Sequence, residues 1–296
     1  IGQPDFLTPK HIVDAAKKAL DEGYHGYTPA NGTIELREGV SRHIKKMYGA
    51  EIEADRVFIA PGGKPSMFFA IMLFGQPGVE IIYPEPGFPI YESVINYSGA
   101  KAVPMYLSEK KNFSFNADEV LNLISEKTRL LIINNPQNPT GGLIEKSEID
   151  KLVKGLKQFP DVAIFSDEIY SRQIYDNKSM PSFFYYPELY NRLIVMDGWS
   201  KTYAMTGWRL GWSVWPKKLI EKVTKMAINS YSCVSAANQV AALTALEGSH
   251  EFLDEMMKKF DVRRNLIVEG LNSLPGINCN KPGGAFYTFP NVSETG

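Results

Sequence analysis

The sequence predicts an α/β protein of three layers, with a mostly parallel central sheet covered by helices on both faces, and a smaller, incomplete α+β part beside it. Two observations carry this reading. Short, almost wholly apolar runs recur at 57–60, 80–83, 101–107, 130–133, 162–165, 193–196 and 210–214, as expected of strands buried on both faces. Longer stretches with apolar residues at helical spacing lie between several of them, which is the pattern of βαβ units. At 296 residues the chain has room for one large domain and part of another. We place the large domain at 10–250, and take 1–9 and 251–296 as the lead-in and a truncated small domain. The chain starts inside motif-like sequence and stops without a terminating helix, so we expect a piece of a longer protein.

In order, Ile1–Pro9 reads as a Gly/Pro-rich extended lead-in. Pro9 opens a helix whose Ile12, Val13, Ala16 and Leu20 fall on one face and which ends near Gly23. After the loop YHGYTPANG, a second helix over Thr33–Tyr48 aligns Leu36, Val40, Ile44 and Met47. The strand at Val57–Ala60 runs into PGGK, where Pro65 suits the first turn of an apolar helix. Glu80–Tyr83 and Lys101–Leu107 are strands, Asn116 and Asp118 start a helix, and Leu130–Ile133 is a strand entering NNPQNPTGG. Ile144–Phe159 is a helix, Val162–Phe165 a strand entering SDEIY, and Leu193–Met196 and Leu210–Val214 complete the set. Asp197 and Gly198 are expected to break the Leu193 strand into a loop that carries Ser200 and Lys201.

Composition narrows the function classes. A net charge of -1 with no basic stripe gives no reason to expect nucleic acid or an anionic membrane as partner. The 2 cysteines, Cys233 and Cys279, are too few for a disulfide framework and are expected to be buried small apolar residues in a reducing compartment. The 4 histidines form no zinc pattern, so no metal site is expected. With no signal peptide or apolar spanning run, a cytoplasmic location is the expectation.

Chemistry concentrates where strands end, the edge at which open parallel sheets bind ligands. Phe88 follows the Glu80 strand, Asn138 the Leu130 strand, Asp167 and Tyr170 the Val162 strand, and Lys201 the Leu193 strand. Each has an ordinary reading: Phe88 as core, Asn138-Pro139 as a turn, Asp167 as a cap, Tyr170 as packing, Lys201 as a solvated loop charge. Together they match a lysine-bound pyridoxal phosphate. The lysine, among Trp199, Tyr203, Met205 and Trp208, becomes a nucleophilic amine that forms the Schiff base. The aspartate keeps the pyridine nitrogen protonated, the asparagine and tyrosine bond its phenolic oxygen, and Phe88 stacks on the ring. Arg209 and the PGGK turn (Gly62, Gly63, Lys64), read otherwise as a plain strand-to-helix turn, form a phosphate cup.

The segments IGQPDF, YTPANG, PGGK, YPEPGFPIY, NNPQNPTGG, SDEIY, SKTYAMTGWRLGW and PGGAFY resemble, in order and along the whole chain, those of class I/II aminotransferases of pyridoxal-phosphate fold type I, near the aspartate aminotransferase-like branch. The resemblance implies a ping-pong transfer of an α-amino group to a 2-oxo acid. It assigns the cofactor's Schiff base to Lys201, its phosphate to Arg209, Gly63 and Lys64, its nitrogen to Asp167, and its phenolic oxygen to Tyr170 and Asn138. Gly2 would line the substrate carboxylate pocket. Tyr27 would reach the phosphate of a neighbouring subunit, which implies a homodimer with shared sites.

There are departures. The family's substrate-carboxylate arginine lies beyond GGAFY, outside this chain, and Arg263 and Arg264 fall on a helix that does not match it. Gly198 stands where many relatives carry a phosphate-binding serine, so Ser200 or backbone must substitute. Gly26 stands where bacterial aspartate-preferring relatives can carry a lysine, which weakens the case for aspartate as the preferred donor. A C–S β-lyase or racemase-like enzyme on the same cofactor, and a non-catalytic sensor domain of a regulator, are the alternative readings.

Overall fold

The computed structural model describes residues 2–296, so Ile1, the first residue of IGQPDF, lies outside it. The strands are β1 (Val57–Ala60), β2 (Glu80–Glu85), β3 (Lys101–Tyr106), β4 (Thr128–Asn134), β5 (Ala163–Asp167), β6 (Leu193–Gly198) and β7 (Gly211–Val214). The helices are α1 (Lys10–Asp21), α2 (Ile34–Tyr48), α3 (Lys64–Phe74), α4 (Ile90–Tyr97), α5 (Ala117–Asn122), α6 (Lys146–Gly155), α7 (Trp199–Thr202), α8 (Lys217–Ser230), α9 (Ala236–Glu247) and α10 (Glu251–Asn272). The strands form a seven-stranded sheet in the order β1-β7-β6-β5-β4-β2-β3. β2 runs parallel to β3 and β4, and β5 parallel to β6, while β7 is antiparallel to both β6 and β1. The expected mostly parallel α/β architecture is therefore what the chain adopts.

Two compact units divide the chain. Of the described residues, the first comprises 2–73, Ile164–Ile169 and Ser182–Leu253. Its strands are nearly free of exposed surface, with Val57, Phe58, Ile59, Ile194, Val195 and Met196 at 0%. Amphipathic α1 and α2 lay Ile12, Leu36, Val40 and Ile44 inward, each at 1% exposure or less. Helix α9 is alanine-rich and buries Ala237, Ala241, Ala242 and Ala245, which lets neighbouring elements approach closely. The indole N–H of Trp199, itself fully buried, donates to the Ala242 carbonyl at 2.9 Å and so ties α7 to α9.

The second unit comprises Phe74–Ala163, Tyr170–Pro181 and Asp254–Gly296. Leu130 to Ile133 of β4 are all at 0% exposure and lie beside Ile81 and Ile82 of β2. Asn116 caps α5 by accepting from the N–H groups of Asp118 and Glu119, which explains the helix start read from sequence. Arg264, in the second half of α10, forks onto Asp176 at 2.6 and 2.9 Å, donates to the Pro282 carbonyl at 2.8 Å and lies 4.1 Å over the Tyr175 ring. Its two terminal nitrogens are engaged inside its own unit, while Nε is buried without a hydrogen-bond partner.

Some boundaries differ from the sequence reading. Asp197 and Gly198 do not break β6: they pair with Trp212 and Gly211 of β7, and an antiparallel partner holds them extended. Ser200 and Lys201 consequently sit on the short helix α7 rather than in a loop. Asp167 is the last residue of β5, paired with Met196, rather than a residue beyond it. Helix α6 begins at Lys146, because Glu145 at its N-cap is extended (φ -71°, ψ 135°), and the Ile144 N–H donates to the Asn135 side chain at 3.0 Å. Cys279 is buried but Cys233 is only half-buried, and both are free thiols.

Candidate active site

In the first unit four chain segments meet at one sheet edge. Since β7 is antiparallel to both β1 and β6, the carboxyl ends of β1 and β6 lie together beside the start of β7. The register places Ala60, Gly198 and Gly211 side by side. Asp167 ends β5 on the same edge, opposite Met196. Beyond Ala60 comes the Pro61-Gly62-Gly63 turn and α3; beyond Gly198 come Ser200 and Lys201; just before Gly211 stands Arg209.

Backbone contact between the turn and β7 requires glycine. A methyl group on Gly211 would lie 2.5 Å from the Gly62 carbonyl carbon and 2.8 Å from the Gly63 nitrogen. One on Gly198 would lie 2.9 Å from the Gly211 α-carbon. That accounts for the departure at position 198: with a glycine facing it this closely, a serine has no room. Ser200 is 8% exposed.

Arg209 is anchored by the loop it belongs to. Its Nη1 donates to the Thr206 carbonyl at 2.7 Å and its Nη2 to the Pro61 carbonyl at 3.2 Å. The guanidinium therefore lies against the PGG turn, beside the amino end of α3, whose first N–H groups have no intrahelical acceptor. A fixed cation and a helix N-terminus at one place make an anion seat.

Lys201 is half-buried, and its ammonium donates to the Gly2 carbonyl. Burial lowers its pKa first of all; the Asp167 carboxylate pulls it back up, and the cations Arg209 and Lys64 push it down again. Asp167 is 2% exposed and accepts the Ile169 N–H at 3.2 Å. A buried carboxylate thus faces a lysine whose amine loses its proton more readily than a free one.

The second unit carries the remaining sequence candidates in two groups. Asn138 donates its backbone N–H to Asn134 at 2.8 Å, and Gln137, 1% exposed, binds the carbonyls of Pro86 at 2.7 Å and Asn138 at 2.9 Å. Gln137 therefore fastens the NPTG loop to the loop of half-buried Phe88, which packs edge-on to Tyr91. Tyr170, 2% exposed, shares a hydrogen bond of 2.6 Å with the Tyr287 hydroxyl. Sequence reasoning picked neither Gln137 nor Tyr287, though both lie inside quoted motifs, NNPQNPTGG and PGGAFY.

Tyr27, in contrast, is 92% exposed on the loop after α1. The loop itself is held by Gln239, which donates to Thr28 and Val234 at 2.9 Å and accepts the Thr33 N–H at 2.8 Å. Among the described residues no cluster suited to a metal ion occurs.

Comparison with known proteins decides the family. The model of the family described as aminotransferase class I and II matches residues 1–295. The chain belongs to that family. The aspartate aminotransferase of Pyrococcus horikoshii is 41% identical over 100% of this chain and 75% of its own length. Aromatic-amino-acid aminotransferase 2 of Thermococcus litoralis is 37% identical over 100% of this chain and 76% of its own. Among solved structures, the aspartate aminotransferase from Rhizobium meliloti matches with a TM-score of 0.95 at 34% identity, covering 99% of this chain and 74% of that one.

This aminotransferase is a pyridoxal-phosphate enzyme that transfers an amino group. Its residues fit the cofactor. The Gly62–Gly63 turn is a cradle that side chains would fill: a methyl on Gly62 would meet the Arg209 guanidinium at 2.3 Å, and one on Gly63 the Met196 sulfur at 2.7 Å. Anion seat, depressed amine and buried carboxylate lie on one edge of one unit.

Proposed function

We propose that Lys201 binds the pyridoxal phosphate of this aminotransferase, with Asp167 at its ring nitrogen and Arg209, Ser200 and the N–H groups of Gly62, Gly63 and Lys64 at its phosphate. The observation that carries this reading is the half-buried Lys201 amine, depressed by burial, beside buried Asp167 and exposed Arg209. When bound, the cofactor supplies an electron sink for the pair left at a substrate Cα. The chain supplies the rest. Lys201, more easily deprotonated than a free lysine, would hold the cofactor through its amine and, when freed by substrate, would carry the proton removed from Cα. Asp167, buried at 2% exposure, would hold a proton on the ring nitrogen away from water. By the motifs they stand in, Asn138 and Tyr170 would hydrogen-bond the phenolic oxygen, Phe88 would cover the ring, and Gly2 and Asn138 would belong to the substrate pocket.

The donor is an acidic or aromatic amino acid, the classes for which the relatives above are named, and the acceptor a 2-oxo acid. The enzyme acts as a homodimer: a tyrosine ring 92% exposed on a tightly held loop suits a role in a neighbouring subunit's phosphate seat. Free cysteines and ordinary charge favour the cytoplasm, and among the described residues no helix is long and apolar enough to cross a membrane.

Borohydride reduction of the holoenzyme followed by peptide mapping tests the assignment. Phosphopyridoxyl label on Lys201, with loss of the visible band and of turnover in Lys201→Ala, is the expected result. Label on any other lysine refutes it. Bleaching of that band by single amino acids names the donor, and the sedimentation coefficient, together with recovery of activity on mixing Lys201→Ala with Tyr27→Ala, tests the shared dimer.

A further inference from the structure

Glu168 follows Asp167 directly, and nothing in the chemistry above uses it. It is 1% exposed. Its Oε1 accepts from the Ser166 hydroxyl at 2.8 Å and the Phe183 N–H at 3.1 Å, whereas Oε2 is buried without a hydrogen-bond partner. An ionised carboxylate with an unsatisfied buried oxygen is costly, and the neutral acid is the form such a site favours. The groups facing it offer no opposite charge. From the end of β5 they are Ser166 and the Asp167 carboxylate; from the segment after Pro181, the Ser182 hydroxyl and the Phe183 N–H. On the other side β6 accepts the Glu168 N–H at Met196, and the next residue there is another buried carboxyl, Asp197, which accepts the Gly198 N–H at 2.6 Å. Burial accordingly pushes the Glu168 carboxyl up to about 7, and the Asp167 charge adds to that against the pull of the hydroxyls and the amide.

We propose that Glu168 is a positioning residue for Asp167 and a pH-dependent control on it. As a neutral acid it ties the end of β5 to the Ser182–Phe183 segment; on losing its proton it sets a second buried negative charge one residue from Asp167. The Glu168 N–H to the Met196 carbonyl carries the extended backbone one residue past β5, and neighbouring residues of such backbone point to opposite faces, so the two carboxyls stand roughly 7 Å apart. At an effective dielectric of about 20, charges at that distance change each other's proton affinity roughly tens of fold. Ionisation of Glu168 therefore makes Asp167 and Lys201 hold protons more tightly, and the lysine becomes a poorer nucleophile just as solution pH would free it. The site is protected from this only while Glu168 stays neutral. The link to turnover rests on the assignment of Asp167 to the ring nitrogen.

Infrared difference spectra of the apoprotein test the protonation without cofactor. A carbonyl stretch of a buried, protonated carboxylic acid that disappears as pH is raised through about 7, and that Glu168→Gln lacks, is expected. Glu168→Gln keeps an oxygen for Ser166 and Phe183 but cannot ionise. In the holoenzyme the pH titration of the visible band should show an inflection in that range which the Gln variant loses. Ser166→Ala, which removes a hydroxyl that favours the anion, should move both transitions to higher pH, and so serves if the Gln variant does not fold. No carboxylic-acid band in the wild type at mildly acid pH, or superimposable titrations of wild type and Glu168→Gln, overturns the proposal. Asp167→Asn separates the two readings: unchanged turnover there, with the infrared band intact, removes the Asp167 role while the buried acid stands.

Discussion

Gly62→Ala tests the phosphate seat at the position where geometry leaves least freedom. Gly62 has φ +92°, in the left-handed region, and an alanine Cβ would lie 2.3 Å from Arg209 Nη2 and 3.0 Å from Cζ. Two costs follow, and they differ in kind. The backbone conformation costs alanine about 1–2 kcal/mol, which in a protein of this size lowers Tm by only a few degrees. The clash itself is cheap for stability, because the tip of a flexible side chain can yield. What it disturbs is function: Arg209 must give up its 3.2 Å bond to the Pro61 carbonyl and swing away from the turn. A charge-assisted hydrogen bond is worth roughly 1.5–3 kcal/mol, so pyridoxal phosphate should bind roughly 10- to 100-fold more weakly. Titration of the apoprotein with cofactor, followed by tryptophan fluorescence, measures this directly. Gly63→Ala is the control, since its new methyl meets the adaptable Met196 side chain and not the arginine. Cofactor affinity within twofold of wild type in Gly62→Ala, with only Tm changed, would refute Arg209 as the phosphate anchor.

Three further outcomes are expected. Gly198→Ser should destabilise the protein by about 1–3 kcal/mol and not tighten cofactor binding, because its Cβ falls 2.9 Å from Gly211 Cα; a rise in Tm would show that the strands can part freely. Tyr287→Phe removes the 2.6 Å partner of Tyr170 and should lower kcat roughly fivefold, the worth of about 1 kcal/mol, while shifting the pH midpoint of the visible band; identical kcat and midpoint would reduce the pair to packing. Asp176→Asn should cost roughly 1–3 kcal/mol at neutral pH by leaving Arg264 half-partnered. The Arg264 hydrogen bond holds the Asp176 pKa below its ordinary 3.8, so its stabilisation is present above that pH and disappears as pH falls through the folded value. Denaturation curves of wild type and variant should therefore converge in acid, and a constant gap would exclude the ion pair as the source.

Much of the fold was legible because it rests on local pattern. Strands buried on both faces read as unbroken apolar runs, so β1 and β4 were visible from their residues alone. Amphipathic α1 and α2 were visible for the matching reason, a clear apolar stripe. Helix α9 was not, because AANQVAALTALE is small and apolar on nearly every side; nothing in a repeat of alanines says which face meets a neighbour. The end of β6 was misjudged for a related reason. Asp197-Gly198 carries a turn signal, and only the pairing with Trp212 and Gly211 overrides it.

The same division runs through the site. Sequence alone pointed to the reactive types and to their grouping near strand ends: Lys201, Asp167, Arg209 and the PGGK turn announce themselves by chemistry and spacing. Tertiary structure decided what surrounds them. That Lys201 is depressed by burial, that Arg209 is pinned to Pro61 and Thr206, and that Gly198 leaves no room for a serine all depend on residues far apart in the chain. Tyr287 and Glu168 show the same limit. A tyrosine beside phenylalanine, or a glutamate after aspartate, carries no local sign of its partner. Proton affinity and hydrogen-bond partnership depend on distance and exclusion of water, and only the folded chain sets those.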